Sequence, residues 1–175
     1  MSVSAPEIVP ESRNHADAIE RVLDRAFGPG RHAKTSERVR ENGAVFAPDL
    51  SRVALLRGAP IGCCRIWRIG VGTRDALFLG PLAVDPARQH AGLGAALVRA
   101  SLEACRAAPF DAVVLIGAPE FFAPLGFVAV PPGALTLPGP VDPRRLLVRA
   151  LKPGAEQSLR GAITAPRGST PRAAE

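Results

Sequence analysis

Residues 77–107 constrain the fold of this chain more than any other stretch. They read Leu77-Phe78-Leu79-Gly80-Pro81-Leu82-Ala83-Val84, then Asp85-Pro86-Ala87-Arg88-Gln89-His90-Ala91-Gly92-Leu93-Gly94, then an Ala/Leu-rich run to Ala107. The first eight residues suit a buried strand, Asp85-Pro86 stops it, and Gly92-Leu93-Gly94 opens a run with helical spacing. Strand, glycine turn and helix start make a site for an anion. The first N–H groups of a helix have no partner inside it, and the helix dipole places roughly half a positive charge there. A phosphate satisfies both.

The 175 residues, 47% apolar and 22% charged, suit a globular protein. We expect one domain over residues 1–153, followed by a disordered tail over 154–175, where Gly, Ala, Ser, Thr, Pro and Arg dominate. No run approaches the ~18 apolar residues of a membrane span, and Met1 to Pro10 lacks the basic flank and apolar core of a secretory signal, so a cytoplasmic protein without membrane contact is expected. The three cysteines include the adjacent Cys63 and Cys64 and form neither a disulfide framework nor a metal-ligand spacing. They read as buried reduced thiols. His15, His32 and His90 are too scattered to propose a metal site. The net charge of +6 comes from arginines spread along the chain, Tyr is absent and aromatics make up 5%, which argues against specific nucleic-acid binding. An anionic small ligand accounts for the positive excess equally well.

In chain order, residues 6–9 suit a short strand. Ser12 or Asn14 can then cap a helix whose apolar positions Ile19, Val22, Leu23, Ala26 and Phe27 share one face, ended by Gly28-Pro29-Gly30. A polar helical piece follows from Thr35 to Glu41, its basic character suggesting a solvated segment, though such a segment can also line a substrate cleft. Ser51–Arg57 and Ile61–Val71 form a hairpin about Gly58-Ala59-Pro60, and 76–84 adds a third strand. The helix after the glycines turns Leu97, Val98, Ser101, Leu102 and Cys105 to one side. Ala112–Ile116 reads as an inner strand parallel to the one ending at Val84. A short turn of helix ends at Gly126, Phe127–Val130 suits a strand, 131–143 a long Pro/Gly loop, and 145–151 a final strand.

Two nucleotide motifs fail on spacing. A P-loop needs Lys and a hydroxyl after its last glycine, but Ala95-Ala96 follows Gly94. A dinucleotide fingerprint needs its first glycine at the strand end and a third glycine, whereas seven residues separate Val84 from Gly92 and Leu97 stands in the third position. What remains is V-D-P-x-x-Q-x-x-G-L-G between strand and helix, with F-F-x-x-x-G-F downstream. This pattern resembles the GNAT superfamily of N-acyltransferases: Gln89, Gly92 and Gly94 match its Q/R-x-x-G-x-G/A motif, and Phe122, Gly126 and Phe127 its aromatic-x-x-x-G-F helix. The match covers residues 77–130. Leu79-Gly80-Pro81-Leu82-Ala83-Val84 and Leu137-Pro138-Gly139-Pro140 further resemble a branch of small bacterial members of this superfamily.

The resemblance implies an α/β (α+β) fold with a mixed, mostly antiparallel central sheet flanked by helices, and a splayed parallel strand pair that binds the CoA arm. It also implies acetyl-CoA as co-substrate, without a metal, and an N-acetyltransferase acting on a small-molecule or peptide amine. The pyrophosphate would rest on His90, Ala91, Gly92, Leu93, Gly94 and Ala95, with Gln89 beside it. Leu82, Ala83 and Val84 would pair with pantetheine, and Phe122 would complete the cofactor-binding set. Members often place a Tyr acid where this chain has Phe122, so no catalytic residue is assigned. Cys63, Cys64, a Ser or water remain as acids, and Glu120 as a base that reads equally as a surface helix start. The alternative is a catalytically weak or inactive acyl-CoA-binding sensor.

Overall fold

The computed structural model describes residues 5–88 and 92–168. The strands are β1 (Glu7–Pro10), β2 (Val45–Phe46), β3 (Arg52–Leu56), β4 (Ala59–Val71), β5 (Arg74–Val84), β6 (Ala112–Ile116), β7 (Val128–Ala129), β8 (Leu135–Thr136), β9 (Leu146–Ala150) and β10 (Gly161–Thr164). The α-helices are α1 (Ala16–Phe27), α2 (Thr35–Glu41), α3 (Leu93–Arg106), α4 (Pro119–Phe122) and α5 (Ala155–Ser158). The hydrogen-bonded strand order is β1-β3-β4-β5-β6-β9-β7. Pairing is mostly antiparallel, as expected, and β5–β6 and β8–β10 are parallel. The backbone groups into two compact units: one holds the chain up to His32, Ala47–Ile66 and Pro81–Ala107, the other Ala33–Phe46, Trp67–Gly80 and the chain from Ala108.

In the first unit the period of a strand explains the packing. Val53 pairs with Cys63, and both lie with Ala83 against Ile19, Val22 and Leu23 of α1. Their neighbours on β4 face α3. A Cβ on Gly62 would stand 3.2 Å from Leu97, and Cys64 lies near Ser101 of α3. Successive side chains of a strand point to opposite faces, so Cys63 and Cys64 separate. All three cysteines are buried free thiols, and burial pushes each up to about 12. They are packing residues.

The β3–β4 turn lies one residue earlier than expected. Arg57 and Gly58 both have positive φ, of 51° and 79°, while Ala59 and Pro60 pair with Leu56 and Leu55 in the ladder. A two-residue turn with both centres at positive φ matches the twist of a hairpin. Pro60 is tolerated because the register shifts at Ala54/Leu55, where a missing N–H costs no regular rung.

In the second unit β6 pairs with β9 from Ala112↔Ala150 to Ile116↔Leu146. Phe78, Ile69, Val71, Val114, Val148 and Ile163 share one buried cluster. The expected disordered tail does not hold over 154–168. Ala155, Leu159 and Ile163 are 2%, 3% and 4% exposed, and β10 pairs with β4 through Ile163↔Val71 and with β8 through Gly161↔Leu135. Three apolar residues four apart outweigh a polar composition because each enters the core. The strand at 145–151 is therefore not the last, and the 131–143 loop contains β8. Residues 169–175 lie outside the described residues.

Candidate functional site

The end of β5 is tied down by Asp85. Its N–H donates to the Ile61 carbonyl at 2.7 Å, extending the strand by one bond. Its carboxylate Oδ2 accepts from Arg25 Nη2 at 2.6 Å and Nε at 3.0 Å, and Oδ1 accepts from the Ala87 N–H at 3.0 Å. The Arg88 N–H donates to its carbonyl at 2.8 Å, so one residue ends the strand and starts the 3-10 turn Pro86–Arg88. The Arg25 hydrogen bond, helped by Ala87, holds the Asp85 carboxyl below its ordinary range. Asp85 was legible as a strand stop; its partner Arg25, 60 residues earlier on α1, was not.

A depressed carboxyl contributes stability that is complete above the unfolded pKa of ~3.9 and is lost as pH falls through the folded value. Asp85→Asn is expected to cost about 1–2 kcal/mol at pH 7 through lost charge assistance. Urea denaturation should show the gap to the wild type closing below about pH 4, where the wild-type carboxyl protonates. A gap that persisted or widened there would contradict the assignment.

Beyond the turn, α3 begins at Gly92, whose φ of 79° and ψ of 0° are left-handed and whose missing Cβ would meet nothing within 4 Å. The first intrahelical bond runs from the Ala96 N–H to the Gly92 carbonyl at 2.9 Å. The N–H groups of Leu93, Gly94 and Ala95 precede it, so the helix itself gives them no acceptor. Among the described residues no side chain caps this end, and no acid stands in its first turn. Leu97, Val98, Ser101, Leu102 and Cys105 are buried and hold the helix in place. The result is an open, positively polarised helix start. Leu82 and Val84 are half-buried and Ala83 is buried. Gln89, His90 and Ala91 lie outside the described residues.

In the second unit the β5–β6 ladder comprises Leu77↔Val113 and Phe78↔Val114, whereas β6 pairs with β9 over its full length. Gly80 follows at a φ of 143°, and its carbonyl accepts from the Trp67 indole N–H at 2.7 Å. Pro81, next in sequence, has no N–H to give. Glycine and proline thus follow directly after β5 leaves its ladder with β6, while the strand itself continues to Val84.

Phe122 is 7% exposed and meets the Phe127 ring edge-on, with centroids 5.6 Å apart. It lies so close to Gly117 that any side chain there would collide with it. Gly126, at a φ of 87°, reverses the chain so that Phe127 returns to the ring. The F-x-x-x-G-F motif thus builds an aromatic corner. Glu120 is exposed in the first turn of α4. Among the described residues no group of three or more His, Cys, Asp or Glu could hold a metal ion, and no helix is long and apolar enough to cross a membrane.

Residues 16–127, well over half of the chain, match the acetyltransferase (GNAT) family, and the chain belongs to it. Among solved structures it is similar to the GNAT family N-acetyltransferase YhbS of Escherichia coli in complex with CoA, at 26% identity and a TM-score of 0.75, over 91% of this chain and 89% of that one. A GNAT family acetyltransferase from Brucella melitensis in complex with acetyl-CoA is 26% identical, with a TM-score of 0.58, over 82% of this chain and 94% of its own. A GNAT family acetyltransferase from Staphylococcus aureus, at 17% identity and a TM-score of 0.57 over 85% of this chain and 100% of its own, shares the fold. No curated protein matches.

Proposed function

We propose that this acetyltransferase takes its acetyl group from acetyl-CoA and passes it to a primary amine of a small molecule or peptide by direct attack. The observation that carries the reading is the helix start at Gly92, uncapped and free of acid, which suits a pyrophosphate. The two relatives holding CoA or acetyl-CoA support the same donor.

The N–H groups from His90 to Ala95 would hold the pyrophosphate, with Gln89 beside them. The main chain of Leu82, Ala83 and Val84 would align the pantetheine arm as an added strand and give the thioester oxygen its donors. Phe122 would complete the cofactor-binding set. The amine attacks as the neutral base, the tetrahedral intermediate collapses, and CoA leaves as thiolate. Phe122 has no proton to give, so water protonates the thiolate. At pH 7 a lysine of pKa ~10.4 is almost wholly protonated, while an α-amino group of pKa ~7.7–8.0 is roughly a tenth to a sixth neutral. An α-amine or a small amine of low pKa therefore suits this site.

Phe122 also favours a second reading, an acyl-CoA-binding protein with feeble catalysis. Thiol release from acetyl-CoA across a panel of amines separates the two. Thiol in step with acetylated amine is the expected result; binding of acetyl-CoA without thiol release from any amine would establish the second reading.

A further inference from the structure

We propose that the acceptor carries an anionic oxygen, of a carboxylate or a phosphate, and that Arg40 binds it. The inference rests on the acetyl-transfer reading for the reaction, but its own evidence lies in α2 and the middle of β5. The sequence suggested a solvated segment here, yet the Arg40 side chain is only 10% exposed. Its Nη2 donates to Glu37, and its Nη1 is buried without a hydrogen-bond partner among the described residues. Burying a charged donor without an acceptor is costly, and such a group calls for a specific reason.

The surroundings of Nη1 supply one. The guanidinium carbon lies 5.9 Å from the centroid of Trp67, whose ring also meets Phe46 at 5.1 Å. Trp67 spends its N–H on the Gly80 carbonyl, which fixes the indole and leaves its face to the cation. Nη1 stands 4.0 Å from where a Cβ on Gly80 would be, two residues past the end of the β5–β6 ladder at Phe78. Arg40 is therefore oriented by Glu37 and Trp67, and its unpaired donor stands beside Gly80 of β5. A structural pair with Glu37 alone would not require the second nitrogen to be dry and unpaired. An anionic oxygen would give it an acceptor, and the substrate class is a small amine, or a peptide end, that carries the anion on the same molecule.

Matched acceptor pairs test this and separate the two sources of the anion: leucine against leucinamide, and O-phosphoethanolamine against ethanolamine. Rates are compared as kcat/KM per neutral amine. The wild type should prefer the anionic member of at least one pair by about tenfold or more, the worth of one charge-assisted hydrogen bond, and Arg40→Gln should abolish that preference. The pair that shows it names the anion. N-acetyl-leucine and N-acetyl-leucinamide, titrated calorimetrically, give a readout of the carboxylate arm that needs no turnover. A failure of acetyl transfer would thus be visible separately from a failure at Arg40. Equal use of both members of both pairs by the wild type would overturn the proposal even if Arg40→Gln did not fold. A preference that survived in folded Arg40→Gln would overturn it too.

Discussion

Replacing Arg65 with methionine is expected to cost about 3–5 kcal/mol of stability, the usual result of stranding a buried charge. Arg65 projects from β4 toward α1 with its side chain 11% exposed, and Glu11, its main partner, is 3% exposed. Three hydrogen bonds of 2.8–3.2 Å join Arg65 Nε and Nη2 to the Glu11 carboxylate, and Nη1 donates to Glu20 at 2.8 Å. Glu20 also accepts from Arg31 at 2.7 Å. Burial alone would raise the Glu20 carboxyl, but Arg65 and Arg31 outweigh it and hold it below its ordinary range. Methionine would fill the volume and leave Glu11 without its partner. For a domain of this size the loss corresponds to a fall in Tm of roughly 6–20 °C. Adding Glu11→Leu should restore most of it, since apolar groups of similar volume often replace a buried pair without loss. Urea denaturation of the two variants checks both statements, and a single-variant loss under about 1 kcal/mol would contradict them.

Gly92→Val should act on binding more than on folding. Its left-handed backbone disfavours a β-branched residue, for which about 1–2 kcal/mol of strain is expected. That strain turns the Leu93 and Gly94 N–H groups away from their common direction, and the isopropyl group fills the open space over the helix start. Losing one charge-assisted hydrogen bond of ~1.5–3 kcal/mol weakens acetyl-CoA by about tenfold or more. A fall in Tm of only about 2–8 °C should accompany it.

The sequence made legible what local chemistry decides. The period of α1 and α3, the strand ended by Asp85-Pro86 and the helical turn ended by Gly126 follow from spacing, turn residues and helix punctuation. The exchange of the hairpin turn for Arg57-Gly58 did not follow, because Pro60 marks a turn in most contexts and is rescued here by a shift of register. Ala155, Leu159 and Ile163 were hidden among small polar residues, and only tertiary contact shows that they enter the core. Arg25 with Asp85 and Arg65 with Glu11 join residues 60 and 54 positions apart, and no spacing rule pairs charges at such distances. The surroundings of Arg40 were hidden for the same reason: Glu37 is a helical neighbour, but Trp67 and Gly80 reach it only through the fold.

The proposed pyrophosphate site at Gly92 is tested most directly by calorimetric titration with acetyl-CoA and with S-acetylpantetheine, which lacks the phosphates. The wild type should bind acetyl-CoA about 100-fold more tightly or better, the worth of two charge-assisted hydrogen bonds, and Gly92→Val should lose most of that difference. Equal affinity of the wild type for both compounds, or an undiminished preference in Gly92→Val, would place the phosphates elsewhere.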